Sequence, residues 1–117
     1  MDLNLLVLRT EEPQVLVSFY EALGLHFTRE QHGNGPEHFS CRTGSVALEI
    51  YPLLDSAPTA STRIGFLVDD LARSCQIASR SGRILQPPSP GEFGLRAVIE
   101  DPAGHKVELV QRTDTTS

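Results

Sequence analysis

The second half of this chain repeats the first. Residues 6–12 align with residues 64–70 at an offset of 58, and residues 47–50 align with residues 106–109 at an offset of 59. A chain built from two copies of one unit usually pairs them about a pseudo-two-fold axis, so matched residues converge on that axis. The four matched positions of most interest are Leu5, Glu49, Arg63 and Glu108. The repeat therefore predicts a centre at which two carboxylates meet.

The first copy has the pattern of a strand, a helix and three further strands. An apolar run at residues 3–9 predicts the opening strand, and Thr10 and Pro13 are typical of a helix start. Gly24 supplies a left-handed cap at the end of that helix. Three strands are expected at 25–31, 37–42 and 45–51, with Thr43-Gly44 as the turn between the last two.

The second copy repeats this order. A strand is expected at 63–68, followed by a helix that Asp69 or Asp70 caps and Gly82 ends. The remaining predicted segments are a strand at 83–86, a proline-rich loop at 87–91, and strands at 95–100 and 105–111 around a turn at 101–104.

These elements predict a single-domain α+β protein built from two βαβββ modules. The modules are expected to be related by a pseudo-two-fold and to form a curved sheet around a cleft, with the helices outside. The predicted segments are a first module at 1–52, a linker at 53–62, a second module at 63–112 and a flexible tail at 113–117.

Composition excludes several classes of function. The chain has 117 residues and a net charge of −5, with no cluster of basic residues, so nucleic-acid binding is not expected. No run approaches the roughly 18 apolar residues of a membrane span, and no signal peptide is visible, so we expect a cytoplasmic protein. Cys41 and Cys75 lack the spacing of a metal or redox motif and are expected to be reduced and buried.

Three segments carry a resemblance to a known family. The chain resembles the vicinal oxygen chelate superfamily, which includes glyoxalases, extradiol dioxygenases, fosfomycin-resistance enzymes and bleomycin-resistance proteins. The resemblance covers nearly the whole chain, and its motifs are Ser18-Phe19-Tyr20-Glu21-Ala22-Leu23-Gly24-Leu25, Ile64-Gly65-Phe66-Leu67-Val68-Asp69-Asp70-Leu71 and Asp101-Pro102-Ala103-Gly104-His105-Lys106-Val107-Glu108-Leu109.

The resemblance implies four metal-ligand positions, of which this chain keeps two. Metal-dependent members take two His (or Gln) and two Glu from the first and last strand of each half. The corresponding residues here are Leu5, Glu49, Arg63 and Glu108. Leu5 has no donor atom, and the permanently charged guanidinium of Arg63 repels a cation. We therefore expect no metal at these positions and expect Arg63 to bridge Glu49, Glu108 or both.

Further candidates share the predicted cleft face. A turn at Thr43-Gly44 places His38 opposite Glu49, where it can act as a general base, a donor to the substrate or a replacement metal ligand. Arg9 and Tyr51 have the same parity and are predicted to bind substrate.

Other polar residues are predicted to lie away from the cleft. The predicted register places Arg96 on the face opposite Glu108. His26, His32 and His105 are expected at the surface.

Three functions remain open from the sequence. The first is a metal-free cleft that binds a small, polar, anionic molecule, with lyase- or isomerase-type proton transfer by Glu49, His38 and Glu108. The second is a non-catalytic protein that sequesters a drug or metabolite, as the bleomycin-resistance branch does. The third is a metal-dependent glyoxalase or dioxygenase with a divalent ion at Glu49, Glu108 and His38. A homodimer is expected in each case.

Overall fold

The computed structural model describes residues 1–112 and divides the chain into two compact units, Met1–Thr59 and the part from Ala60 onward. Each unit has one helix and one four-stranded sheet. The α+β class and the two modules predicted from the sequence are thereby confirmed. The two-fold relation, the shared cleft and the linker bounds stay predictions, and the predicted flexible tail at 113–117 lies outside the described residues.

The first unit follows the predicted order of elements. Its elements are β1 (Leu5–Thr10), α1 (Pro13–Ala22), β2 (Thr28–Glu30), β3 (His38–Thr43) and β4 (Val46–Pro52). The sheet order is β1-β4-β3-β2, in which β1 and β4 run parallel and the other pairs antiparallel. Pro13 opens α1, and Gly24 follows it with φ +113, a conformation that favours glycine. The buried side chains of this unit are Leu8, Thr10, Leu16, Val17, Phe19, Tyr20, His38, Cys41, Leu48 and Ile50.

The second unit has the same topology. Its elements are β5 (Arg63–Leu67), α2 (Leu71–Ala78), β6 (Arg83–Gly91), β7 (Gly94–Glu100) and β8 (Lys106–Gln111). The sheet order is β5-β8-β7-β6, again with the first and last strands parallel. Asp70 caps α2 by accepting a hydrogen bond from the Arg73 backbone N–H at 3.1 Å. The buried side chains are Ile64, Leu71, Cys75, Ala78, Ala97, Val98, Ile99, Asp101, His105, Val107 and Leu109.

The repeat in the sequence is also a repeat of strand register. Val7 pairs with Glu49 in the first sheet, and Gly65 pairs with Glu108 in the second. These pairs are related by the two offsets that align the sequence halves. Both glutamates therefore occupy the same place in their sheets, next to the parallel edge strand.

Two predicted segments differ from the structure. The proline-rich segment at 87–91 is not a loop, because β6 continues through it to Gly91 with two shifts in register. Strand β6 lies at the edge of its sheet, where a residue without an N–H breaks no interior ladder. Strand β2 is also shorter than predicted, at three residues.

No helix among residues 1–112 has both the length and the apolar character that a membrane span requires.

Candidate functional site

Glu108 is the centre of a charged cluster in the second unit. It lies on β8 between Gly65 of β5 and Val98 of β7. Arg63 Nε donates to Glu108 Oε2 at 3.1 Å, and Arg96 Nε donates to Oε1 at 2.6 Å. The predicted contact between Arg63 and Glu108 is thus present. The three side chains together carry one net positive charge.

The prediction that Arg96 lies on the opposite face was wrong. Arg96 pairs with Val110, two residues from Glu108, so both side chains project from the same face of the sheet. Its guanidinium also reaches Gln86 Oε1, at 3.3 Å through Nη1. The predicted turn at 101–104 was one residue too short, and that error moved Arg96 to the wrong face.

The two arginines change the chemistry of the Glu108 carboxyl. The hydrogen bond from Arg96 lowers its pKa most, burial raises it, and the hydrogen bond from Arg63 lowers it again, so that the pKa lies below its ordinary value. Glu108 is consequently a stable carboxylate at neutral pH and a weak base. Its position favours an electrostatic role over proton transfer.

An open, largely apolar pocket adjoins this cluster. It has a volume of about 500 Å³, within the range of small-molecule sites. Glu92, Arg96 and Glu108 supply charge to its wall. Its apolar lining includes Phe66, Leu67, Phe93 and Val110. Leu67 and Phe93 are 61% and 74% exposed, which is unusual for large apolar side chains.

Glu49 has a different environment in the first unit. Ser40, not His38, pairs with Glu49, and the Ser40 hydroxyl donates to Glu49 Oε2 at 3.3 Å. The predicted opposition of His38 and Glu49 was wrong because the turn consists of Gly44 and Ser45, which shifts the pairing by two residues. Gly44 has φ +58, and glycine at the first central position is typical of a type II′ turn.

His38, Tyr51 and Arg9 form a stack on the same unit. The rings of His38 and Tyr51 lie parallel with centroids 4.1 Å apart, and the Arg9 guanidinium carbon is 5.0 Å from the centroid of the Tyr51 ring. Burial raises the pKa of Tyr51, and the neighbouring Glu49 carboxylate raises it further, so the phenol keeps its proton and can donate a hydrogen bond. Arg9 also donates from Nη1 to the Pro52 carbonyl at 3.3 Å.

One group of potential metal ligands was not recognised from the sequence. Glu30, His32 and His38 each place one ligand atom within 4.8 Å of the other two. Glu30 pairs with His38 across β2 and β3, and His32 follows in the next loop. The spacing Glu-x-His is visible in the sequence, but His32 was predicted to be only a surface residue. His32 is indeed exposed, as is His26.

The expectation that His105 lies at the surface was wrong. His105 is fully buried, and its Nδ1 lies 2.9 Å from Asp101 Oδ2. Asp101 Oδ1 also accepts the backbone N–H groups of Ala103 and His105, both at 3.0 Å. This pair stabilises the turn before β8 and has a structural role.

Comparison with known proteins decides the family. A family model described as the Glyoxalase/Bleomycin resistance protein/Dioxygenase superfamily matches residues 2–109. The chain belongs to this superfamily. A search of curated protein sequences found no significant match.

Solved structures show the same fold at low sequence identity. An antibiotic binding protein, TnmS3 from Streptomyces sp. CB03234, is similar with a TM-score of 0.78 and 19% identity over 97% of both chains. The hypothetical protein SA1046 from S. aureus has a TM-score of 0.76 and 16% identity, over 95% of this chain and 93% of that chain. A glyoxalase-related enzyme from Fulvimarina pelagi has a TM-score of 0.73 and 17% identity, over 96% of this chain and 88% of that chain.

The metal used by metal-dependent members of the superfamily does not fit the corresponding residues here. The resemblance assigns that metal to Leu5, Glu49, Arg63 and Glu108. Leu5 offers no donor, and both oxygens of Glu108 accept hydrogen bonds from guanidinium groups. A cation at Glu108 would have to displace two fixed positive charges. No step of the chemistry is therefore assigned to a metal at these positions.

The two cysteines have the properties predicted for them. Both thiols are free and buried, and burial raises the pKa of each. A thiol with a raised pKa forms little thiolate at neutral pH and is a weak nucleophile. Cys41 and Cys75 are therefore packing residues.

Proposed function

We propose that this member of the superfamily binds a small molecule that has an apolar body and an anionic group. The main support is the charged cluster that Glu108 forms with Arg63 and Arg96. Glu108 and Arg96 belong to the wall of an apolar pocket, and Arg63 contacts that wall through Glu108. The apolar body would lie against Phe66, Phe93 and neighbouring side chains. The anionic group would be recognised by guanidinium nitrogens.

Of the two arginines in the cluster, Arg63 has the more exposed side chain and is the one proposed to meet the anion. Among residues 1–112 its guanidinium contacts one acceptor, Glu108, through Nε, and its side chain is 48% exposed. The terminal nitrogens are thus available to a ligand. A guanidinium fork binds carboxylate and phosphate groups through paired hydrogen bonds, which supports an acidic ligand over a neutral one.

Binding without turnover is favoured for this pocket. Glu108 is held as a carboxylate with a lowered pKa, so it is a poor general base. The similar fold of TnmS3, described as an antibiotic binding protein, agrees with a role in sequestering a drug or metabolite.

Lyase- or isomerase-type chemistry is a second candidate, supported by the first unit. Glu49 is a partly exposed carboxylate next to Tyr51, whose raised pKa keeps its hydroxyl as a proton donor. A carboxylate beside a phenol supplies one proton acceptor and one proton donor. His38 as a catalytic base and Arg9 as a substrate contact remain predictions.

The cellular setting and the assembly are part of this proposal. We propose a cytoplasmic homodimer that binds neither nucleic acid nor membrane. The net charge of −5 argues against nucleic acid, and the exposed apolar side chains of the pocket are suited to cover by a second chain.

A ligand panel tests the proposed binding site. Matched aromatic carboxylates, phosphates and their neutral amides would be compared by calorimetric titration. Arg63→Gln should weaken binding of the acids about tenfold, the loss of about 1.4 kcal/mol expected for one charged contact. Arg83→Gln is the control, because Arg83 pairs with Glu100 at 3.5 Å and does not contact Glu108.

The same panel separates binding from catalysis. An acid that binds and is recovered unchanged after long incubation supports sequestration, whereas product formation that Glu49→Gln abolishes supports the second candidate. Equal affinity for acids and amides, or an Arg63→Gln variant as tight as the wild type, would contradict an anion-binding pocket.

A further inference from the structure

Glu30, His32 and His38 bring two imidazoles and one carboxylate together at one end of the first sheet. His38 Nε2 lies 3.3 Å from Glu30 Oε1, and His32 Nε2 lies 3.6 Å from the same oxygen. The two imidazole rings are 5.1 Å apart. None of these three residues is a metal position of the superfamily resemblance.

His38 has an unsatisfied ring nitrogen that points into this cluster. The residue is 1% exposed, and among the described residues its Nε2 has no hydrogen-bond partner. Glu30 Oε1 is close enough, but an N–H on Nε2 would not be aligned with it. A buried polar atom left in this state costs free energy unless a further group satisfies it.

The hydrogen-bond partner of Nδ1, the other ring nitrogen of His38, decides which nitrogen carries the hydrogen in the neutral ring. Nδ1 lies 3.2 Å from the Pro36 carbonyl, which can only accept, so Nδ1 carries the hydrogen. In the neutral ring Nε2 then has a lone pair that no donor among the described residues satisfies, beside the Glu30 carboxylate at 3.3 Å. A cation beside both atoms would accept this lone pair and offset the charge of the carboxylate.

We propose that Glu30, His32 and His38 bind a divalent transition-metal ion of the zinc type. Tetrahedral zinc holds nitrogen and oxygen ligands at about 2.0–2.1 Å, which places neighbouring ligand atoms about 3.3 Å apart. The two separations from Glu30 Oε1, 3.3 and 3.6 Å, are close to that value. Two imidazoles and a carboxylate suit zinc and its imidazole-binding neighbours better than calcium or magnesium.

The surroundings of the cluster support this assignment. A ligating histidine commonly donates its second ring N–H to a backbone carbonyl, as His38 does to Pro36. Tyr51 stacks on the His38 ring and fixes its plane. Three protein ligands leave at least one position open, so the ion would be able to bind an anion or a water molecule.

This site is independent of the anion pocket of the second unit. It shares no residue with the Arg63–Glu108–Arg96 cluster, so either proposal can fail while the other stands.

Metal titration of tag-free protein tests the proposal. Protein stripped with a chelator would be titrated with ZnCl₂ by calorimetry and with CoCl₂ by visible absorption. One ion per chain is expected, with the absorption bands of cobalt in a nitrogen and oxygen environment. His32→Gln should weaken zinc binding by at least about tenfold, and Glu30→Gln by a similar factor.

The controls make the result decisive. His26→Gln removes an exposed histidine outside the cluster and should leave the affinity for zinc unchanged. His32 is 75% exposed, so its substitution does not disturb the core, and circular dichroism would verify the fold. The proposal is overturned if the wild type binds no stoichiometric zinc at about 100 µM, or if His32→Gln binds as tightly as the wild type.

Discussion

Both oxygens of Glu108 are occupied by guanidinium groups, and that fact dominates the chemistry of the second unit. Arg63 holds one oxygen and Arg96 the other. A carboxylate in this position is fully ionised at neutral pH. Its negative charge does not repel an acidic ligand, because the two guanidinium groups carry a larger positive charge.

The Glu108 cluster predicts a pH-dependent contribution to stability. The folded-state pKa of Glu108 lies below its unfolded value, so its contribution is present above the ordinary pKa of glutamate and is lost as the pH falls through the lowered folded-state pKa. Glu108→Gln should therefore lower the free energy of unfolding by about 1 kcal/mol at pH 7, and the deficit should shrink in acid. Urea denaturation of both proteins at pH 7 and near pH 3 measures this.

Glu100→Gln provides the comparison for that experiment. Within residues 1–112 the one salt-bridge partner of Glu100 is the exposed Arg83, at 3.5 Å, so the stability lost in Glu100→Gln should be smaller than that lost in Glu108→Gln at neutral pH. A Glu108→Gln deficit that stays constant from pH 7 into acid would show that the charge of Glu108 does not stabilise the fold.

At the scale of single residues, the sequence identified Arg63 and Glu108 as partners but missed Arg96. The first pairing follows from the repeat, because matched positions in the two halves determine which residues flank each glutamate. The Arg96 contact depends instead on the length of one turn. The group of Glu30, His32 and His38 was not predicted either, because these residues come together only when β2 and β3 pair in the observed register.

At the scale of elements, one turn accounts for two wrong predictions. The sequence predicted a turn at 101–104 and a strand beginning at His105, but Glu100 pairs with Lys106 and His105 belongs to the turn. His105 is held there by Asp101, which also binds two backbone N–H groups. Such a side-chain contact has no periodic signature, so hydrophobic pattern and turn propensity could not reveal it.

Helix starts were predicted better in the second unit than in the first. Asp70 caps α2 with its side chain, as Asp69 or Asp70 was expected to do. Thr10, which was predicted to mark the start of α1, does not cap it, because Glu12 occupies the cap position and makes no side-chain cap hydrogen bond. The Thr10 hydroxyl oxygen instead accepts a hydrogen bond from the Glu12 backbone N–H at 3.3 Å, and Glu12 precedes the first residue of α1.

This difference predicts unequal effects of two matched substitutions. Asp70→Ala should lower the free energy of unfolding by about 1 kcal/mol, because the Arg73 N–H loses its acceptor, while Asp70→Asn should retain most of the stability. Glu12→Ala should have little effect, since no cap bond is lost. Thermal and urea denaturation of the three variants measure the order, and a Glu12→Ala loss as large as that of Asp70→Ala would contradict it.

At the scale of the whole molecule, the repeat explains why the family was recognisable although the sequence identity to the three solved structures named above is only 16–19%. Strand order and the matched register of the two halves are set by pattern, and the fold is shared with solved relatives that differ in most side chains. The ligand is set by a few side chains whose contacts cross several strands. Function is accordingly the part of this protein that pattern alone predicts least.

Assembly into a dimer is the last prediction, and it follows from surface that the chain leaves uncovered. Each unit is small and has a core of its own, and a unit of about 60 residues is marginally stable without further burial. Leu67 and Phe93 are exposed beside Arg96 in the same pocket, so a second chain that covers them would also enclose a bound ligand.

Light scattering should give twice the chain mass of 12.8 kDa, and the melting temperature should rise with protein concentration. The acids that bind the pocket should shift the mass further toward the dimer at low concentration, because enclosure adds contacts that only the assembled state provides. A single-chain mass from about 1 to 100 µM, with ligand present, would mean that the exposed side chains serve the ligand alone.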